Sequence, residues 1–360
     1  MIWWRRPLRP GVFRNHLSTF PPIHSLLESP AVQDWQSKHR CGRCAIICIS
    51  GWGPKFMKAT YHSGVHKFAL FVVAWAVLLL CAGALVTSED AALAVPDWPL
   101  SYGSITPPMV GGIAYEHSHR VIAAILGLFV VILSVVLWRK EDRPWVKWLG
   151  VAAVGGVILQ GVLGGLTVLK LLHYWLPVMH ACLAQIMFAT LVSIAVVTSR
   201  WWVSDRPQYE DKASPAIHTV VVLNAAAIFL QIALGAAFRH KYSPATPHVV
   251  WAMGVLLIAS WTAVQLRKRF SNSPEISRIR ALLHGIVGVQ LLLGLGALWT
   301  RMRSVDDPQP MPAVVITTVV HTVFGAVLFA VAILVVLFCY RLVPRRREAV
   351  FATTRDEVPA

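Results

Sequence analysis

Eight long stretches of this chain contain no Asp, Glu, Lys or Arg, and this feature limits the fold more than any other. A helix needs about 20 mostly apolar residues to cross the hydrocarbon core of a membrane. Only helices and closed barrels satisfy their backbone hydrogen bonds in lipid, and none of the stretches alternates as a barrel strand does. We therefore predict an all-α integral membrane protein with eight transmembrane helices, at residues 68–87, 121–138, 148–169, 178–198, 216–238, 248–266, 281–300 and 313–340.

Composition and charge agree with this class of protein. Charged residues make up 14% of the 360 residues, whereas a soluble domain carries about 25%. The net charge is +16, but 27 of the 33 lysines and arginines lie before the first span, after the second, fourth and sixth spans, and in the C-terminal tail. Basic residues accumulate on the cytoplasmic side, so we predict that both termini are cytoplasmic. The positive charge thus reflects membrane topology and lipid headgroups, and no basic face suited to nucleic acid is present.

The spans fall into repeated helical hairpins. Three odd-numbered spans carry the pattern Gln-x-x-Leu-Gly, ending at Gly164, Gly235 and Gly294, and the first span has Gly83 at the corresponding place. Small residues let neighbouring membrane helices approach closely. Four hairpins predict two pseudo-symmetric four-helix bundles. The predicted organisation is a poorly ordered leader (1–65), an N-terminal bundle (66–200), a cytoplasmic linker (201–216), a C-terminal bundle (217–340) and a basic cytoplasmic tail (341–360).

The leader has little that predicts a function. It lacks the long apolar core and the cleavage site of a signal peptide, and Met57 is a natural alternative start. Cys41 and Cys44 form a single CxxC pair, which without a second pair is a weak signal for a metal or redox site.

Four of the 14 histidines stand apart from the rest. His119, His180, His248 and His321 each lie in the outer half of an even-numbered helix, one per hairpin. An ionisable group inside a helix bundle at membrane depth indicates function. Ligands on separate helices fit a tetrahedral zinc site poorly, whereas two facing imidazoles are the geometry of haem ligation in a helix bundle. We predict one haem per bundle, between His119 and His180 in the first and between His248 and His321 in the second, with the small residues leaving room for the macrocycle.

The two halves differ in one carboxylate. Glu116 precedes His119 by three residues, so both lie on one face of the helix. A carboxylate at a haem edge can accept or relay a proton. The alternative is an interfacial acid that caps the start of the second helix. Of its neighbours, His117 points elsewhere, and Arg120 is suited to a haem propionate or a lipid phosphate.

The connection between the first and second spans carries a second indication. Two prolines flank Asp97-Trp98, an arrangement that would hold the tryptophan as a rigid lid over a flat substrate. The alternative is a tryptophan anchor at the membrane interface.

Together these residues resemble the haem A synthase family. The resemblance rests on Ala-Leu-Ala-Val-Pro-Asp-Trp-Pro-Leu (residues 92–100), on Glu-x-x-His-Arg (residues 116–120), and on histidines in four alternate spans, and it covers about residues 66–340. It implies an enzyme that oxidises the C8 methyl group of haem O to a formyl group, giving haem A for haem–copper respiratory oxidases. Some members carry a cysteine pair in the first outer loop. Those positions are Val95 and Ser101 here, so a disulfide-assisted step does not carry over.

The resemblance also implies roles for the site residues. Glu116 would be the catalytic carboxylate, His119 and His180 would bind the iron of haem O, and His248 and His321 would bind the iron of a haem b. The implied partners are haem O synthase and oxidase assembly factors, and a homo-oligomer is compatible with the sequence. Two other classes stay open at this point: a membrane cytochrome b that carries electrons on two bis-histidine haems, and a haem transporter or chaperone.

Overall fold

The computed structural model describes residues 60–173 and 175–344, and within them it confirms eight helices long and apolar enough to cross a membrane. Each helix is preceded or followed by a short connection, except for the longer segments 89–110 and 198–216. The bounds of the eight are α1 Ser63–Ser88, α2 Gly111–Lys140, α3 Pro144–Leu169, α4 Leu176–Val197, α5 Ile217–Arg239, α6 Ala245–Arg269, α7 Pro274–Arg303 and α8 Pro312–Leu342.

The helices begin and end where local chemistry favours it. Proline occupies the first turn of α3, α4, α7 and α8, where its missing N–H would have no helical partner. Ser273 caps α7 by accepting a hydrogen bond from the N–H of Ile276. Basic residues lie in the last turn of α2 and of α6, where they interact favourably with the helix dipole.

Several helices extend beyond the predicted spans. The second begins at Gly111 instead of residue 121, and the seventh at Pro274 instead of residue 281. The reason is that an absence of charge marks the part of a helix that faces lipid, and it does not mark the end of the helix. Glu116 and Arg120 lie inside α2 because they bond to each other and to the loop that covers them.

The helices pack as two rings of four. In the first half α1 contacts α2 and α4, and α3 lies between α2 and α4; in the second half α5 contacts α6 and α8, and α7 lies between α6 and α8. The halves meet where α8 contacts α1 and α4, and where α4 contacts α5. The pattern is the same when every helix is replaced by the one four places later. That the two bundles are pseudo-symmetric in their geometry stays a prediction.

The two last helices of the halves, α4 and α8, lie at the centre. Half of the most apolar 18-residue window is buried in each of them, against 11% in α7. The large apolar side chains that remain exposed on the outer helices suit a lipid environment. One end of the helices carries the loops 89–110, 170–175, 240–244 and 304–311, and we call it the site end. It is the end predicted above to lie outside the cytoplasm.

Candidate functional site

Each of the four singled-out histidines packs its ring against a glycine of the preceding helix. All four lie in the first half of an even-numbered helix, at the site end. A Cβ atom added to the glycine would approach the ring carbon Cε1 more closely than van der Waals contact allows. The distances are 3.0 Å for Gly83 and His119, 3.2 Å for Gly164 and His180, 2.8 Å for Gly235 and His248, and 3.0 Å for Gly294 and His321.

These contacts bear out the alignment of the repeat and correct its interpretation. The glycines that end the three Gln-x-x-Leu-Gly segments, together with Gly83, hold equivalent positions in the four hairpins. The sequence analysis expected them to leave room for a macrocycle. Instead, the space left by the missing side chain is filled by the imidazole of the same hairpin.

The glutamines of the repeat bind the same histidines. Gln160, Gln231 and Gln290 each donate from Nε2 to the backbone carbonyl of the facing histidine, at 3.0, 3.0 and 3.1 Å. The same amide nitrogen lies 3.2–3.5 Å from a ring nitrogen of that histidine. The first hairpin has Leu79 at this place, so His119 lacks this neighbour.

The second half brings its two histidines together. The ring centroids of His248 and His321 are 6.2 Å apart, with the ring planes at 87°. A metal bound to one nitrogen of each ring at about 2 Å would separate the centroids by about 6 Å. The spacing therefore fits an iron held between the two imidazoles.

The first half has the same pair of side chains in a more buried setting. His119 and His180 are close enough for their charges to interact. Nδ1 of each ring is buried and makes no hydrogen bond within the described part of the chain. Buried polar atoms rarely lack a partner, so these nitrogens are unsatisfied in the protein alone. Residues 60–173 and 175–344 contain no cluster of three or more potential metal-binding side chains, and the histidine pairs are what they offer to iron.

Glu116 is a buried carboxylate beside the first pair. It is 4% exposed, and both of its oxygens are engaged: Oε2 accepts from the N–H of Val95 at 2.9 Å, and Oε1 from Arg120 at 2.6 Å. The helix starts five residues earlier, with Val110 at its N-cap and no acidic side chain in the first turn. The alternative that Glu116 caps the helix is therefore wrong.

Arg120 ties the loop to α2. Besides Glu116, its guanidinium donates to the carbonyl oxygens of Asp97 (2.7 Å), Leu100 (2.5 Å) and Val95 (3.4 Å). The expectation that it binds a propionate or a lipid phosphate is not met, because its donors are used within the protein. No spacing rule connects residue 120 with a loop more than 20 residues earlier, so the sequence did not indicate this role.

Trp98 lies over the outer end of α3. Its indole ring covers Gly165, where an added Cβ would come within 2.7 Å of Cδ2, and its other face leaves the residue 41% exposed. Gly165 directly follows the glycine that accommodates His180. The first loop thus reaches across the site end of the first half, as the lid interpretation expected.

Asp97 gives the loop its shape. Its carboxylate accepts from the backbone N–H groups of Tyr102 (2.7 Å) and Gly103 (2.8 Å), both of which have positive φ. These two donors, from Gly103 first, lower the pKa of Asp97 below its ordinary value of 3.8.

The remaining histidines of α1, α2 and α5 have structural partners. His117 bonds to Ser101 Oγ at 2.9 Å and so points away from the pair, as predicted. His66 bonds to the carbonyl of Ala195 and His218 to that of Val343, each at 2.9 Å. These two bonds join the first and last helices of each half at the end opposite the site.

The cysteines of the described residues are free. They are Cys81, Cys182 and Cys339, which agrees with the absence of a disulfide framework expected from the sequence. Cys41 and Cys44 lie outside the described residues, as do the leader and all of the basic tail beyond Pro344.

The fold and the site define a class: a multi-pass helical membrane protein with a histidine pair in each of two rings of helices. Residues 112–355 match the family COX15-CtaA, described as cytochrome oxidase assembly protein. The match covers more than half of the chain, and the chain belongs to this family.

Curated relatives point the same way. The chain is 27% identical over 184 residues to the heme A synthase of Shouchella clausii, an alignment that covers 50% of this chain and 60% of the relative. It is 30% identical over 140 residues to the heme A synthase of Halalkalibacterium halodurans, covering 38% of this chain and 47% of the relative. The chain thus spans about half of the length of the curated relatives it matches.

Proposed function

We propose that this chain is a haem A synthase, an oxidoreductase that converts the C8 methyl group of haem O to a formyl group. The family and the names of the relatives support this reaction. The observation that carries the proposal is an asymmetry between the halves. Both have a histidine pair, but at the site end the first half adds the buried Glu116, and the described residues of the second half have no buried carboxylate there.

The two histidine pairs take different haems in this proposal. His119 and His180 bind the iron of the substrate, haem O, and orient it in the first half. His248 and His321 hold a haem b, whose iron would supply one-electron transfer. The 6.2 Å between the rings of His248 and His321 supports the second assignment, and the unsatisfied ring nitrogens support the first.

Glu116 is the group that accepts a proton from the substrate. Arg120 and the N–H of Val95 favour the ionised carboxylate, whereas burial opposes it. The same contacts fix the carboxylate one helical turn from His119, because the two residues are three apart. The loop with Trp98 covers this site and excludes water from it.

The proposed arrangement in the cell follows from the distribution of charge. Both termini and the linker 201–216 lie in the cytoplasm, and the site end faces outward. Residues 66–200 form the substrate half and residues 217–340 the haem b half. The basic residues that favour this orientation flank the helix ends opposite the site end.

The activity is tested in a bacterial host that makes haem O but no haem A. The full chain is expressed there, the haems are extracted, and haems B, O and A are separated by chromatography. We expect haem A with the wild-type chain. With Glu116→Gln we expect bound haem O but about 100-fold less haem A or lower still, since a positioned acid or base contributes at least that factor.

Glu141→Gln is the matched control. Glu141 is also buried and paired with an arginine, Arg143, but it lies at the other end of α2. We expect it to leave haem A production intact. Normal haem A output from Glu116→Gln would refute the catalytic assignment. A wild-type chain that binds haem but makes no haem A would instead favour the cytochrome b or the haem transporter.

A further inference from the structure

The site end of the second half carries two arginines without an acidic partner. Arg239 is the last residue of α5, and Arg301 lies in the last turn of α7. Within residues 60–173 and 175–344 neither forms a salt bridge. We call them the arginine pair.

The pair lies on the helix faces that contact the histidines. Arg239 follows Gly235 by four residues, and Arg301 follows Gly294 by seven, so each is on the same face as the glycine. At 1.5 Å per residue they are about 6 Å and about 10.5 Å further along the helix axes. Both arginines are therefore placed beyond His248 and His321, on the side of the site end.

The contacts of the pair leave positive charge uncompensated. Arg239 is half-buried and donates to the hydroxyl of Ser88 at 2.6 Å, which in turn contacts the hydroxyl of Thr318. The guanidinium of Arg301 lies 5.5 Å from the centre of the Phe238 ring. The two arginines repel each other, and the charge that acts favourably on Arg239 is that of Asp90, more than 4 Å away. A partly desolvated cation in this setting is stabilised by an anion.

A cavity opens next to the pair. It measures about 370 Å³, and Pro244 on its wall is four residues before His248. The cavity is lined by Phe238, Lys241, Tyr242, Ser243, Pro244 and Arg301. It therefore combines two cations with a position at the outer mouth of the second histidine pair.

We propose that Arg239 and Arg301, with Lys241, bind the propionate carboxylates of the haem held between His248 and His321. This inference rests on the proposed function. A haem carries its two carboxylates on one edge, and the planar fork of a guanidinium matches a carboxylate with two parallel hydrogen bonds. The iron would be held by the histidines and the acidic edge by the arginine pair.

The first half lacks this feature, which separates a resident haem from a substrate. The positions that correspond to Arg239 and Arg301 in α1 and after α3 are Thr87 and Leu171. Arg120, the cation of that half, is engaged by Glu116 and the loop. The second haem is thus retained by charge, whereas the first can leave after the reaction.

The test compares a haem with and without charged propionates. The haem-depleted full-length chain is titrated with protohaem IX and with its dimethyl ester, and the signal is the b-type absorbance that His321→Ala removes. We expect the wild type to bind the acid about 10-fold to 100-fold more tightly than the ester. The double variant Arg239→Gln, Arg301→Gln should bind both forms equally.

Three controls separate ligand binding from a structural role. Arg303→Gln removes a charge at the same end, where the guanidinium lies over Trp299, and should keep the preference for the acid. Ser88→Ala removes the hydrogen bond of Arg239 but keeps its charge, and should keep the preference as well. Arg239→Lys should retain part of it.

The outcomes distinguish this inference from the proposed function. An unchanged preference in the double variant would overturn the inference, and so would an equal loss in Arg303→Gln or Ser88→Ala. A wild type that binds haem without preferring the acid would also overturn it, while leaving the proposed function in place. A wild type that forms no b-type complex with either form would overturn both.

Discussion

At the scale of single residues, the absence of a side chain sets the position of each histidine. The rings of His248 and His321 fill the space beside Gly235 and Gly294, so the imidazoles are held by contact with a helix backbone and not by a hydrogen bond alone. A ligand held in this way loses little conformational freedom when it binds a metal, which favours tight binding.

Filling that space should displace the ligand. Gly294→Ala places a Cβ 3.0 Å from Cε1 of His321, and the ring must shift by a few tenths of an ångström. We expect haem affinity of the second half to fall about 10-fold, as it does when groups that orient a metal ligand are altered. Titration with protohaem IX measures the change.

Gly296→Ala is the control on the same helix, because a Cβ there meets nothing within 4 Å. It should bind haem as the wild type does. Equal affinities in the two variants would show that the glycine contact does not position the ring.

The sequence predicted these residues only in part. The pattern Gln-x-x-Leu-Gly and the four histidines were found from spacing, and the structure places them in equivalent hairpins. That the glycine faces the ring was not predictable, because spacing along one helix does not say which residue of the next helix lies opposite. The role of Arg120 was missed for the same reason.

At the scale of elements, the loop 89–110 is the part whose shape depends most on polar contacts. Its backbone is held to α2 through Arg120 and is turned around the Asp97 carboxylate. The prolines predicted a rigid segment from the sequence. They did not predict what fixes it, since the partner residue lies on the following helix.

Asp97→Asn should loosen this loop. An amide has one oxygen, so it cannot accept from both Tyr102 and Gly103, and its NH₂ group would oppose the second N–H. We expect amide hydrogen exchange of residues 97–104 to become several-fold faster, with Asp306→Asn in another loop of the same end as the control. Unchanged exchange would show that Asp97 does not hold the turn.

The same contact fixes the direction of the pH dependence. The pKa of Asp97 is lower in the folded loop than its ordinary value of 3.8, so the carboxylate contributes stability above that value. This contribution is lost as the pH falls through the lowered pKa. Wild-type exchange should therefore stay slow down to about pH 4, whereas the Asp97→Asn protein should show no such transition.

At the scale of the whole molecule, two rings of four helices repeat one packing pattern. The sequence predicted the eight spans and the repeat, because hydrophobic length and motif spacing are local properties. It did not predict that α4 and α8 form the centre. That depends on which helix faces pair, and the spans are apolar on all sides.

The leader should be dispensable for insertion and activity. All the site residues lie between Gly83 and His321, and the family match begins at residue 112. We expect a chain that starts at Met57 to reach the membrane and to produce haem A at wild-type levels. Membrane yield and extracted haems measure both properties, and a loss of either would show that residues 1–56 contribute.

The central claim is that each half holds one haem between its own pair of histidines. Low-temperature EPR spectroscopy of the purified ferric protein, expressed with a supply of haem O, tests it most directly. We predict two low-spin bis-imidazole signals in the wild type, of which His180→Ala removes one and His321→Ala the other. A single signal that both variants abolish, or two signals that neither variant changes, would contradict the account.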